Sequence, residues 1–329
     1  MIFKYSSVEC LKGVRRFFIS LLWDIKHPTL LRLFRHVQRF FYQKKPKEIV
    51  NLQLTKSKQK MYQLVCSDID GTLLDKNRQL SKRTIKALKA IQPQADIVLA
   101  SSRMPKAMKH LQVELGIESS PLICYNGGLV LDYTESKNPK TLLSLPIPMD
   151  VLRFALQTAA NTNIHISIYR NDDWYVSELD YWANREINNT KVEPTVTNQL
   201  ELIKNWTTGA HKIMCMGPKE EIQVLYNALS AAYGNTVHTY RSKDTYIEIS
   251  SKTISKATAL ERVLKEKYNF GMEKVVSFGD NYNDIDLLTA SGKGVAVDNA
   301  RDEVKAIANE ITETNKNDGV AITIEKVFL

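Results

Sequence analysis

In "LVCSDIDGTLLD", Leu64 to Asp75, an apolar run ends in two carboxylates one residue apart, Asp68 and Asp70, followed by Gly71 and Thr72. Further along, polar groups of complementary kinds follow other apolar runs: Ser101, Ser102 and Arg103, then Asn126 with Gly127, then Asp280 with Asn283 and Asp284. Lys256 is a further candidate. Carboxylates converging on one point raise one another's pKa and cannot all ionise cheaply without a cation. Oxygen-only ligands favour Mg²⁺ over zinc. A calcium loop started at Asp68 is excluded, because Thr72, Leu73 and Gln79 stand where Asp or Asn, Gly and Glu are needed. Each residue also has an ordinary structural use: Asp-Gly turns, Asp and Ser helix caps, an exposed helix lysine. Their joint occurrence in order is what argues for a site.

The elements that must hold these groups alternate in type from Met61 onward, which implies βα units and a parallel sheet. "YQLVCSDID" reads as a buried strand and "SKRTIKALKAI" as an amphipathic helix capped by Ser81. "ADIVLASSR", "PLICYNGG", "KVVSFGD" and "GKGVAVDNA" are further strands. The helices "PKAMKHLQVELG", "SKATALERVLKEKY", "NDIDLLTAS" and "RDEVKAIANE" separate them. Every polar cluster therefore falls at the carboxyl end of a strand, where open parallel sheets bind ligands. The alternation breaks near Pro146 and Pro148, where "MDVLRFALQTAA" leads into "NIHISIYRNDDWYVS", a hairpin turning at Asn171 to Asp173. The expected organisation is an N-terminal extension over 1–60, a core in two parts over 61–146 and 250–329, and an α+β insertion over 147–249.

The apolar fraction of 43% and charged fraction of 25% are ordinary globular values and exclude a disordered chain. Four cysteines with no CxxC pair read as reduced thiols of a cytoplasmic protein. The net charge of +9 is misleading, because residues 1–60 carry 14 Lys and Arg against three acids, while the rest carries 31 against 33. A basic groove on the body is unsupported, and no nucleic acid is expected as a partner. Within the extension, "TLLRLFRHVQRFFY" sets apolar residues at helical spacing opposite arginines, while the apolar run from Phe17 to Trp23 is too short to span a bilayer. These patterns suit contact with an anionic membrane surface. They suit equally an upstream extension, with Met61 able to open a complete domain.

"DIDGTLL", "ASSR", "SKATAL" and "GDNYND", in that order, resemble motifs I to IV of the haloacid dehalogenase superfamily of phosphohydrolases. "YNGG", "GVAVDNA" and "TNKNDGVA" resemble its Cof-type branch, which carries a class IIB cap between motifs II and III. The resemblance covers nearly all of 61–329. It implies an α/β, Rossmann-like parallel-sheet core with an inserted α+β cap, and Mg²⁺-dependent hydrolysis of a small phosphorylated metabolite, a sugar phosphate above all. Asp68 would be the nucleophile and Asp70 the general acid and base. Asp68, Asp70 (through its carbonyl), Asp280 and Asp284 would serve the metal. Ser101, Arg103, Asn126, Lys256, Asn283 and Asn299 would serve the substrate. Where the branch has Thr-Gly-Arg and Met-Gly-Asn, this chain has Ser101-Ser102-Arg103 and Val297-Asp298-Asn299. Tyr169, Arg170, Trp174, Tyr181, Trp182 and Arg185 are candidate cap contacts. Alternatives are a phosphomutase or phosphotransferase, in which a hydroxyl replaces water, and a non-catalytic binding protein on the same scaffold. The oligomeric state is not legible.

Overall fold

The computed structural model describes residues 61–134 and 138–329; the helical expectations for the N-terminal extension lie outside them. The chain builds two sheets. The first has eight strands in the order β14-β13-β12-β1-β2-β3-β4-β5. These are β1 (Leu64–Ser67), β2 (Asp96–Ala100), β3 (Leu122–Cys124), β4 (Leu129–Asp132), β5 (Lys140–Ser144), β12 (Val275–Gly279), β13 (Lys293–Val297) and β14 (Glu310–Thr312). All neighbours from β14 to β3 are parallel, and β4 and β5 add an antiparallel edge.

Helices cover both faces, which is why β1 is buried along its whole length instead of alternating. On one face Val65, Ile97, Leu99 and Leu122 pack with α1 (Lys82–Ile91), α2 (Lys106–Leu115) and α10 (Gly319–Phe328). On the other, Leu64, Cys66, Val98 and Ile123 pack with α7 (Lys256–Lys267). Ser81 caps α1 as the sequence suggests, accepting from Thr84 N, and Gly116 ends α2 in the left-handed conformation. Cys66, Cys124 and Cys215 are free and buried. The helix expected over "RDEVKAIANE" is shorter than its pattern. It ends at Ile307, because Glu310–Thr312 pairs with β13 as the edge strand β14.

Between β5 and α7 the chain forms the second sheet, order β10-β11-β9-β6-β7-β8, using only residues 165 to 251. Its strands are β6 (His165–Arg170), β7 (Asp173–Val176), β8 (Thr195–Val196), β9 (Lys212–Met216), β10 (Val237–Lys243) and β11 (Tyr246–Ser251). β6 and β7 form the expected hairpin, with Asn171 left-handed in the turn. Here the side chains do alternate. Ile166, Ile168, Ile213, Cys215, Ile247 and Ile249 pack with α3 (Met149–Ala159) and α6 (Lys219–Tyr233). Tyr169, Lys212, Met214 and Glu248 occupy the other face, with Tyr169 opposite Lys212 and Glu248 opposite Met214 in the ladders. A helix α4 (Tyr181–Thr190) borders this face. No helix among the described residues is long and apolar enough to cross a membrane.

Candidate active site

From β1 the chain proceeds one way to β2 and β3, and after β11 it returns on the other side to β12, β13 and β14. The strand order thus reverses between β1 and β12, the crevice where α/β sheets bind ligands. Asp68 follows β1 and donates its N–H to Phe278 O at 3.0 Å; Asp280 follows β12. Asp68, Asp280 and Asp284 each offer a carboxylate oxygen within 4.8 Å of the others.

Lys256 stands at the first position of α7, where the helix dipole disfavours a cation, and its side chain is fully buried. Carboxylates on both sides explain this. Its ammonium donates to Asp68 Oδ1 and, at 2.7 Å, to Asp284 Oδ1. Burial works against that charge, but Asp284 and Asp68 outweigh it and raise the Lys256 pKa above the usual value. Asp284 is anchored further, because its Oδ2 accepts from the backbone N–H of Asp280 at 2.9 Å and of Asn281 at 3.0 Å. Burial pushes the Asp68 carboxyl well above the ordinary range; Lys256 draws it back and Asp284 and Asp280 push it up again. Asp280 is pushed up to about 6, by burial and then by Asp284. One ammonium among three carboxylates, two of them buried and Asp280 half-buried, leaves an excess of negative charge, and the all-oxygen donor set suits a hard divalent cation.

Two glycines let this cluster close. Gly71 has φ 87°, and a Cβ there would lie 2.6 Å from Asp280 Oδ2; one on Gly279 would lie 2.4 Å from Asp284 Cβ. The Thr72 hydroxyl donates to Asp280 Oδ1 at 2.8 Å.

The Asp70 carboxylate does not join the acidic cluster. Arg103 grips it with two nitrogens, Nε at 2.7 Å and Nη2 at 2.8 Å, and Arg78 Nη2 donates from 2.8 Å. Burial would raise its pKa, but the Arg103 hydrogen bonds and charge, then Arg78 and Lys256, hold it below the usual carboxylate range. Arg78 projects from a residue with φ 60°, held by a turn in which Asp75 Oδ1 accepts from Asn77 N and Gln79 N.

Ser101 is buried at the end of β2, its hydroxyl accepting from Arg103 N at 3.2 Å. Asn126 lies in a turn of three left-handed residues, Tyr125 to Gly127. It accepts from Asn283 Nδ2 at 2.9 Å and donates to Glu248 Oε1 at 3.3 Å. The structure therefore gathers Asp68, Ser101, Asn126, Lys256, Asp280, Asn283 and Asp284 at the strand ends. Two expected substrate groups are turned elsewhere, Arg103 onto Asp70 and Asn299 onto the backbone. Asn299 donates to Gly71 O at 2.8 Å and accepts from Asn315 N at 2.8 Å, so its carboxamide ties the Gly71 loop to the last turn of the chain.

The insert faces this site. A cavity of about 230 Å³ is lined by Asp70, Arg78 and Arg103 from the core and by Tyr169, Lys212 and Glu248 from the insert. Lys212 Nζ donates to Ser102 O at 2.9 Å, and Tyr125 OH donates to Asn171 O at 2.8 Å. His211 stacks on Tyr125, accepts at Nδ1 from Asn171 N and, through Nε2, donates to Ser144 Oγ at 3.0 Å. Burial, and then the Arg170 charge, push the His211 pKa down to about 4.

Of the candidate insert contacts, only Tyr169 lines this cavity. Trp174 is buried against it, Arg170 lies over Trp206, Arg185 over Tyr246, and Trp182 meets Tyr246 edge-on. Tyr181 is exposed. Sequence reasoning missed Arg78, Lys212 and Glu248. A charge inside the apolar strands "KIMCM" and "YIEISS" costs free energy unless it has a partner, and that was the available signal.

This architecture and acid–lysine cluster define a class. A family model described as haloacid dehalogenase-like hydrolase matches residues 65–324, and the chain belongs to that family, in its Cof-type branch, and is a phosphatase. Among curated relatives it is 27% identical over 271 residues to the 5-amino-6-(5-phospho-D-ribitylamino)uracil phosphatase of Bacillus subtilis, covering 80% of this chain and 97% of that protein. It is 28% identical over 248 residues to the HMP-PP phosphatase of Yersinia enterocolitica, covering 74% and 87%. A haloacid dehalogenase-like hydrolase from Bacteroides thetaiotaomicron superimposes with a TM-score of 0.74 at 27% identity, covering 81% of this chain and all of that one.

Proposed function

We propose that the chain hydrolyses a small phosphomonoester in a Mg²⁺-dependent reaction that passes through a phosphorylated Asp68. The observation that carries this reading is Lys256, buried and shared between Asp68 and Asp284 at the strand-order reversal. An Asp68 oxygen attacks phosphorus, and the ester bond breaks on the opposite side. Lys256 and the Ser101 hydroxyl hold the non-bridging oxygens, with Asn283 in support. Asp70 gives a proton to the departing alkoxide and takes one from the water that then cleaves the acyl phosphate. The arriving phosphate brings negative charge, which counters the arginines and eases protonation of Asp70. Mg²⁺, held by Asp68, Asp280 and the Asp70 carbonyl with Asp284 orienting the set, would offset repulsion between carboxylate and phosphate. Residues 147–249 serve as the cap that excludes water and selects the leaving group. The two named relatives act on phosphorylated metabolites by their names, which supports a small-molecule substrate here.

The test is release of inorganic phosphate from p-nitrophenyl phosphate without an added acceptor. It should require Mg²⁺, stop in EDTA and fall when Ca²⁺ replaces Mg²⁺. Undiminished release in chelator removes the metal, and release only with a sugar acceptor makes the protein a phosphotransferase.

We further propose that the protein is cytoplasmic and that residues 1–60 hold it at an anionic membrane surface, on the strength of their basic amphipathic pattern. The full chain should sediment with anionic liposomes at low salt, and a protein beginning at Met61 should not. Equal behaviour of the two rejects the surface role.

A further inference from the structure

The turn of the β6–β7 hairpin reaches the core at a helix start that the core leaves incomplete. Helix α2 begins behind Pro105, whose side chain carries no oxygen and makes no capping hydrogen bond. The N–H groups of a helix's first turn have no partner within the helix, and one of these belongs to Lys106. The insert supplies the missing acceptor: Asp172 Oδ1 takes the Lys106 N–H at 2.7 Å. Its carboxylate thus does the work of an N-cap from another part of the chain, at the positive end of the helix dipole.

The turn that carries Asp172 is held in place by neighbouring bonds. Asn171 is left-handed with φ 54°, its carbonyl accepts from Tyr125 OH at 2.8 Å, and its N–H is taken by His211 Nδ1 at 3.0 Å. The next residue makes a different kind of contact. Asp173 is exposed and only approaches Lys106 Nζ, at 3.8 Å, a pair of the sort that contributes little.

What α2's first turn holds in its own right gives this contact a chemical consequence. The carbonyl of Ala107, one residue beyond Lys106, accepts from Arg103 Nη1 at 3.1 Å. The same guanidinium grips Asp70 through Nε and Nη2. Arg103 is therefore fixed between the first turn of α2 and the Asp70 carboxylate. A continuous run of bonds joins the tip of the insert to Asp70: Asp172 to Lys106, Ala107 to Arg103, and Arg103 to Asp70.

Resting on the phosphatase reading above, we propose that Asp172 is a positioning residue of the reaction: by capping α2 from the insert it fixes Arg103, and through Arg103 it holds Asp70 where the leaving oxygen arrives. Proton delivery is then coupled to the docking of the insert, because Asp70 is aimed only while the hairpin tip is seated on α2.

Two kinds of ester test this with the full chain and Mg²⁺. The leaving group of p-nitrophenyl phosphate departs without a proton, whereas those of ribose 5-phosphate and glycerol 3-phosphate need one. Asp172→Ala should lower kcat/KM for the alkyl esters roughly tenfold, the scale of a lost helix cap, and for p-nitrophenyl phosphate by less than about twofold. Asp172→Asn keeps an oxygen acceptor and should restore most of the loss, and Asp173→Ala should behave as the unaltered chain. In an Asp70→Asn background Asp172→Ala should cost little more, because the group it aims is already gone. Equal losses on both kinds of ester overturn the inference, since partial unfolding or poor docking of the insert lowers both alike. So does an unchanged rate on the alkyl esters, or a loss that simply adds to that of Asp70→Asn. Failure of the unaltered chain to release phosphate from any of the three esters would instead remove the underlying phosphatase reading.

Discussion

On one wall of the cleft, Asp68, Ser101 and Asp280 leave the ends of adjacent parallel strands, each placed by the ladder bonds of a sheet buried on both faces. On the facing wall, Tyr169, Lys212 and Glu248 come from antiparallel strands and share one face of their sheet by alternation. The first wall is fixed closely to the sheet, because each of these residues directly follows a paired strand. The second is joined to the first by single hydrogen bonds such as Lys212 to Ser102 O, and by the stack of Tyr125 on His211. On the proposed reading it is the part that closes over the substrate. On that reading chemistry falls on the wall fixed to the parallel sheet and selection on the facing wall.

Substitutions on the first wall should be the most damaging. Asp68→Asn keeps the hydrogen-bonding shape but removes the attacking charge, and phosphate release should fall by at least about 10⁴-fold in a protein that unfolds at its usual temperature. Comparable turnover would dismiss Asp68 as nucleophile. For Asp70→Asn the loss should be about 10²- to 10⁴-fold. Esters with activated leaving groups such as p-nitrophenol should suffer least at the first step, because they need no proton to depart. A uniform loss across leaving groups would mean that Asp70 orients the site instead of moving protons.

Effects on the insert side should be smaller and of a different kind. The folded His211 ring titrates near 4, below its unfolded value, so the unfolded chain binds more protons between those limits. Its contribution to stability is complete above about pH 6.5 and is lost as pH falls toward 4. Between pH 7 and 5 the protein should lose about 2 kcal/mol more than His211→Gln does, measured by urea unfolding at each pH. Parallel losses would place the acid sensitivity elsewhere. Lys212→Met removes one charge-assisted bond across the cleft, and kcat/KM should fall roughly tenfold, about 1.4 kcal/mol. Unchanged kinetics would show that the two walls meet without it.

The same contrast governs how much the sequence discloses. The first wall is legible because an apolar run that ends in an acid marks a strand end, and strand ends in a parallel sheet converge. Asp68, Lys256, Asp280 and Asp284 can be named from that logic and from the family resemblance. Arg103 and Asn299 are expected on the substrate but turn onto Asp70 and onto the Gly71 and Asn315 backbone, since nothing in a linear pattern says whether a polar side chain at a strand end reaches a ligand or a neighbouring protein group. The strands β4, β5 and β14 are not legible in the sequence, because their pairing at the two ends of the sheet depends on sheet context. Lys212 and Glu248 meet the core only after the insert folds back across it, a contact between residues more than a hundred positions apart for Lys212 and Ser102.

The missing side chains at Gly71 and Gly279 bear on how this protein tolerates change. Neither residue carries charge or donates a side-chain hydrogen bond, and alanine is the smallest possible alteration at either. Yet a single methyl at 71 collides with the Asp280 carboxylate, and one at 279 collides with Asp284. Surveys of natural variation that weigh only ionisable residues would pass both replacements as harmless. In the inheritance of this site, the spaces left empty are as exposed to damaging mutation as the acids that surround them.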